Sequence, residues 1–169
     1  MPFRRLITVL VLMLCGAAFA DEATEVQRLM RSGDLAAALQ RAERAAQADP
    51  RDAKVRFLQG VVLLDLKRDA DAMAAFQRLT EDFPELSEPY NNIALLHARA
   101  GRLEQARAAL EIALRNDPTQ LAARQNLGDI HLRLALQAWE TAASATPADA
   151  GLQRKLRLAR ELAAAPAAR

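Results

Sequence analysis

Aromatic rings make up only 4% of this 169-residue chain, and it contains a single cysteine, Cys15. A core must therefore be built from Ala and Leu, and no disulfide can close within the chain. The two histidines, His97 and His131, fall short of the three or four ligands that a zinc site needs. The six glycines stand singly, with no G-x-x-x-x-G-K and no G-x-G-x-x-G, so neither phosphate-cradling loop is present. A hydrolytic triad would also lack its Gly-rich nucleophile turn. No catalytic residue, metal site or cofactor is expected, and the protein reads as a non-enzyme.

What the chain does contain is apolar and charged residues in helical proportions, 51% and 26%. Ala, Leu, Arg and Glu dominate, and these residues lose little side-chain entropy in a helix. The expected class is all-α.

The first twenty residues are of a different kind. Arg4 and Arg5 precede a nearly continuous apolar run from Leu6 to Leu14, and Ala18-Phe19-Ala20 supplies small residues where a signal peptidase reads. Residues 1–20 are thus expected to be a signal peptide cleaved before Asp21, which sends the protein to a periplasm. The run falls short of the roughly 20 residues that span a bilayer; an uncleaved membrane anchor is the alternative. Leu14 is larger than the small residue expected before an acylated Cys15. Cleavage after Ala20 would leave no cysteine.

Charge follows the same division. The leader holds two arginines and no acid, so 23 basic and 21 acidic groups become 21 and 21 beyond it. Residues 150–169 carry five of those basic groups and one acid, which makes a basic tail on a mildly acidic body. A neutral chain with one Trp and one Tyr is a poor candidate for nucleic acid.

The organising feature is a period of 34. Pro50, Pro84 and Pro118 are that far apart, and the same register aligns Gly60, Ala94 and Gly128, and Ala38, Ala72 and Ala106. Small residues let two helices approach closely, and proline ends a helix because it lacks the amide hydrogen. Asp52, Ser87 and Thr119 are placed to cap the first helix of each repeat, and Asp34 and Asp69 the second. Gly33 and Gly101 mark the turns between them. The fourth repeat differs: Pro147 follows Pro118 by only 29 residues, with no Gly, Pro or Asn between Asp129 and Thr146. One long helix over about 121–145 is expected there. After it, Asp149 can cap a last helix whose Leu152, Leu156 and Ala159 share a face.

This pattern resembles the tetratricopeptide repeat, with its 34-residue period and its W-x2-L-G-x2-Y, A-x3-F and P positions. The third repeat carries Tyr90, Ile93, Ala94, His97, Ala106, Leu110 and Pro118; the second carries Gln59, Gly60, Leu63, Ala72, Phe76 and Pro84. The resemblance implies a right-handed superhelical array of helical hairpins over residues 21–147. Its repeats fall at about 19–52, 53–86, 87–120 and a shortened 121–147, followed by a capping helix and tail over 148–169. His97 and His131 take a position where the family has Tyr, so both are expected as packing residues between the two helices of a repeat. Phe76 and Trp139 fall where the family packs an aromatic, and are expected in the core.

The resemblance also implies a concave groove lined by the first helices. Here its positions include Phe57, Leu58 and Val61, which with Leu64 would form an apolar shelf, then Asn92, Leu95 and Arg99, then Asn126, Asp129 and Arg133. Asn92 and Asn126 repeat with the period, as do Arg99 and Arg133. An Asn amide can match both the N–H and the C=O of an extended residue, and Arg can pair with a carboxylate. The plainer reading of the Asn pair is a solvated groove. A protein or peptide partner in that groove is the expected function, and the chain an exported scaffold. The alternative is a structural component of the cell envelope, associated weakly with the membrane through the leader or the basic last helix.

Overall fold

The structure, a computed structural model, describes residues 22–164. The leader, its cleavage site and Cys15 lie outside the described residues. Those that are described fold into eight α-helices, divided between two compact units that part after Pro84.

The N-terminal unit contains α1 (residues 22–31), α2 (Leu35–Ala48), α3 (Ala53–Asp65) and α4 (Asp69–Asp82). Asp34 and Asp52 cap α2 and α3, each carboxylate accepting from the amide three residues on, Ala37 and Val55. Gly33 turns the chain between α1 and α2 at φ +80°, and Lys67 between α3 and α4 at φ 61°. Packing is tight: Val26, Ala38, Ala42, Val55, Val62, Ala72, Phe76 and Leu79 have no exposed surface. Burying each large side chain of that set is worth about 1.5–3 kcal/mol. Arg41 reaches from α2 to Glu22 on α1 in a two-pronged bond of 2.5 and 2.7 Å. Arg56 ties α3 to α4 through Asp82 at 2.6 Å and lies over the Phe83 ring.

The C-terminal unit contains α5 (Ser87–Arg99), α6 (Leu103–Asn116), α7 (Leu121–Ala145) and α8 (Ala150–Ala164). Gly101, at φ +73°, turns the chain between α5 and α6. Helix α7 packs on α6 through the buried Ala123 and Ile130, and α8 packs on α7 with Leu156 and Ala159 buried. The missing turn has the consequence expected of it, since α7 runs unbroken for 25 residues. Asp149 caps α8 by accepting from the Leu152 amide at 3.0 Å.

Three of the expected caps are not caps. Ser87 is the first residue of α5 and is buried; its Oγ stands 2.9 Å from the Ala113 carbonyl oxygen and 2.8 Å from Gln120 Oε1, so it joins helices. Asp69 lies inside the first turn of α4, after an N-cap at Arg68 that makes no side-chain capping bond. Thr119 donates to Asp117 Oδ1 from both its amide and its hydroxyl, in the turn before α7, whose N-cap is Gln120.

Candidate functional site

Where α5, α6 and α7 meet, the C-terminal unit has a cavity of about 220 Å³. Helix α5 contributes Leu95 and Arg99, and α7 contributes Asn126, Asp129 and Arg133; Leu110 of α6 and Ile130 of α7 belong to its apolar lining. The spacing follows from helix geometry, since residues three and four apart share a face. Thus 95 and 99 on one helix, and 126, 129 and 133 on the other, open on the same space.

The cavity joins an apolar lining to a charged rim. Leu110 and Ile130 are almost wholly buried, whereas Arg99, Asp129 and Arg133 are exposed. Two guanidinium groups beside one carboxylate favour a ligand with negative charge or carbonyl oxygens. Between the helices, Asn126 Nδ2 donates to Asn91 Oδ1 at 2.8 Å. That bond fixes the amide plane of Asn126 and leaves its carbonyl oxygen outside the pair.

Asn92 behaves differently from its periodic equivalent. Its Nδ2 donates to the Glu88 carbonyl of its own helix at 3.0 Å, and it is not among the cavity's lining residues. The partner of Asn126 is Asn91, one residue earlier than the repeat equivalence selects. Only the structure distinguishes the two, because they are adjacent asparagines on one helix.

In the N-terminal unit two of the four residues of the expected apolar shelf are core. Leu58 and Leu64 are buried at 6% and 8% exposure, which leaves them little surface for a ligand. Phe57 is half-buried, with its ring 5.8 Å from that of Phe76 and tilted by 48°. Val61 is half-buried. Phe76 is in the core as expected.

The histidines part company. His97 is half-buried, and its Nδ1 accepts from Arg102 Nε at 3.0 Å. Burial first, and the Arg102 charge second, hold its pKa below the ordinary histidine value. His131 is exposed instead of packed, and Trp139 is only half-buried. α7 continues where a repeat would turn back, so both lack the second helix of their own repeat. Among the described residues no group of three His, Cys, Asp or Glu is placed to hold a metal.

One regularity of the site region is easily missed in the sequence. Arg56 and Arg124 are two periods apart, and each donates to the carbonyl of the proline six residues before it, Pro50 and Pro118. The helix-ending proline thus carries an acceptor that the next repeat uses.

The family model of the tetratricopeptide repeat matches residues 24–86 and 91–150. No curated protein matches the chain. Among solved structures, the first tetratricopeptide domain of Spaghetti (RPAP3), bound to the HSP90 peptide SRMEEVD, is similar with a TM-score of 0.64 and 18% identity, over 69% of this chain and 93% of that one. The Yersinia enterocolitica type III secretion chaperone SycD, in complex with a peptide of the translocator YopD, gives 0.63 and 13%, over 69% and 95%. MamA gives 0.60 and 19%, over 80% and 82%. At these identities the likeness concerns the fold.

Proposed function

The chain belongs to the tetratricopeptide repeat family, and from that membership we propose that it is an exported, non-enzymatic scaffold holding an extended segment of a partner protein. The observation that carries this reading is the α5–α7 cavity, where a fixed Asn amide, an apolar lining and two arginines converge. An extended peptide suits each part. Its backbone offers N–H and C=O groups to Asn126, a small apolar side chain fits against Leu95 and Ile130, and an acidic residue or carboxylate pairs with Arg99 or Arg133. Two of the similar structures hold peptides, HSP90's in RPAP3 and YopD's in SycD, which supports the same mode here. Export rests on the leader, with cleavage before Asp21 and residence in the periplasm.

The test is site-specific crosslinking in the native envelope. A photoreactive residue at Leu95 should capture one partner through a short linear segment, and a probe at the exposed Arg115 should not. Arg133→Glu should abolish the Leu95 product, and the recovered protein should begin at Asp21. The same products from both positions would count against the cavity, and an intact leader against export.

A further inference from the structure

The α5–α7 cavity opens where the third repeat carries less side-chain volume than the second at the same register. In the second repeat Gly60 is buried against the ring of Phe76, and a Cβ on the glycine would stand 2.7 and 2.9 Å from Cζ and Cδ1. Leu64, one turn further along α3, is buried at 8% exposure. One period later these three positions are Ala94, Leu110 and Ala98, and all three line the cavity. Phe to Leu and Leu to Ala each remove three side-chain carbons, whereas Gly to Ala returns one. Packed interiors leave few voids, so volume lost at fixed register opens a space, and here that space is about 220 Å³.

Ala98 controls the α5 wall of that space. Residues 94, 95, 98 and 99 lie within one face of the helix, since positions three and four apart are neighbours, and all four line the cavity. Ala94 and Ala98 offer one methyl group each. Ala94 stands where the second repeat has a glycine, so only at position 98 has an aliphatic side chain been cut back on this face.

We propose that Ala98 is the specificity-determining residue of the cavity, and that the partner side chain it admits is branched and aliphatic, Val to Leu in size, supplying the volume that Leu64 supplies in the second repeat. The assignment rests on the cavity being the peptide site, and it names the class of residue that the site accepts. Charge at the rim sets the neighbour of that residue. Arg133 is exposed beside the apolar lining, so an acidic residue next to the aliphatic one has a partner. Asp129, also exposed and on the same rim, opposes an unbroken acidic run. The segment is thus an aliphatic residue with a single adjacent acid.

Ala98→Leu tests this through two opposed effects. Filling the cavity with the residue that the second repeat uses should raise the melting temperature of the full chain, by about 2–4 °C. The same change should remove the aliphatic preference. Heptapeptides selected by the parent from a phage-displayed random library should be enriched in Val, Ile or Leu at one position, with Asp or Glu beside it. A synthetic peptide of the enriched sequence should bind Ala98→Leu about tenfold more weakly than the parent. Replacing its aliphatic residue by Ala should cost a similar factor with the parent and nothing further with Ala98→Leu. Ala98→Val, a smaller intrusion, should fall between the two proteins in both measurements. A lower melting temperature for Ala98→Leu, or undiminished binding of the selected peptide, would overturn the role of Ala98 and leave the peptide site standing. No enrichment on the parent, or binding indifferent to Arg133→Glu, would overturn the peptide site and the role of Ala98 with it. A concentration-dependent dimer of the parent in sedimentation, dissociated by Ala98→Leu, would assign the cavity to a second copy instead.

Discussion

Gly60 and Phe76 are in such close contact that no side chain fits between them: a methyl group on the glycine would overlap the ring, with Cζ at 2.7 Å. Helix propensity and packing therefore oppose each other at this position. Alanine would gain about 0.5–1 kcal/mol of backbone entropy, against about 1–3 kcal/mol for overpacking a tight core. Phe76 has no exposed surface, and so no room to retreat. Gly60→Ala should lower the midpoint of chemical unfolding. Gly128→Ala, where nothing stands within 4 Å, should raise it, with a gain in stability of about 0.5–1 kcal/mol. Parallel urea titrations of the two variants measure the contrast directly, and equal shifts would refute it.

Lys67 occupies the turn position that Gly33 and Gly101 hold in the neighbouring repeats, one period away on either side. All three are left-handed, at φ 61°, 80° and 73°. A side chain in that region brings Cβ close to the following carbonyl and costs about 1–2 kcal/mol. Lys67→Gly should accordingly stabilise the protein by about 1 kcal/mol, less the extra freedom glycine brings to the unfolded chain. Gly101→Ala should destabilise it by a similar amount. Thermal melts of both variants would show opposite displacements.

Much of this was legible in the sequence because period and chemistry agreed. The proline spacing set the register, the small residues at Ala38, Ala72 and Ala106 are fully buried where the register put them, and the shortened fourth repeat is one helix. What could not be read was whether an equivalent position keeps its neighbour. Gly128 and His131 have the residue types of a packed repeat, but packing needs a second helix that folds back, and α7 does not. The same limit separates Asn91 from Asn92. Adjacent residues on a helix lie about 100° apart, so a shift of one residue decides whether an amide faces Asn126 or bonds to its own backbone.

Ser87 is a polar residue with its side chain in the interior, only 4% exposed. Its hydroxyl is a second partner of the Ala113 carbonyl, which also accepts from the Asp117 amide at the end of α6, and so it ties α5 to α6. Removing it loses that one bond and leaves the carbonyl its backbone partner, at a cost of about 0.5–1.5 kcal/mol. Ser87→Ala should lower stability within that range. Ser87→Cys keeps a weak donor and should lose less. The ordering of the three midpoints is the check, and a Ser87→Ala variant as stable as the parent would mean the bond contributes nothing.

His97 makes stability depend on pH in a definite direction. Its pKa is held below 6.5 by burial first and by the Arg102 charge second. The accepting Nδ1, bonded to Arg102 Nε at 3.0 Å, must also give up its lone pair when it is protonated. The unfolded chain therefore binds the proton more readily than the folded one, and stability rises with pH wherever that holds. The contribution is complete above the unfolded value. It is lost as pH falls from there, and it levels off once the folded imidazole is also charged. Melting temperatures between about pH 7.5 and 5 should fall on the acid side. His97→Gln, which presents an uncharged acceptor to Arg102 at any pH, should flatten that part of the profile. If the His97→Gln profile keeps the parent's slope between those limits, the pH dependence comes from other groups.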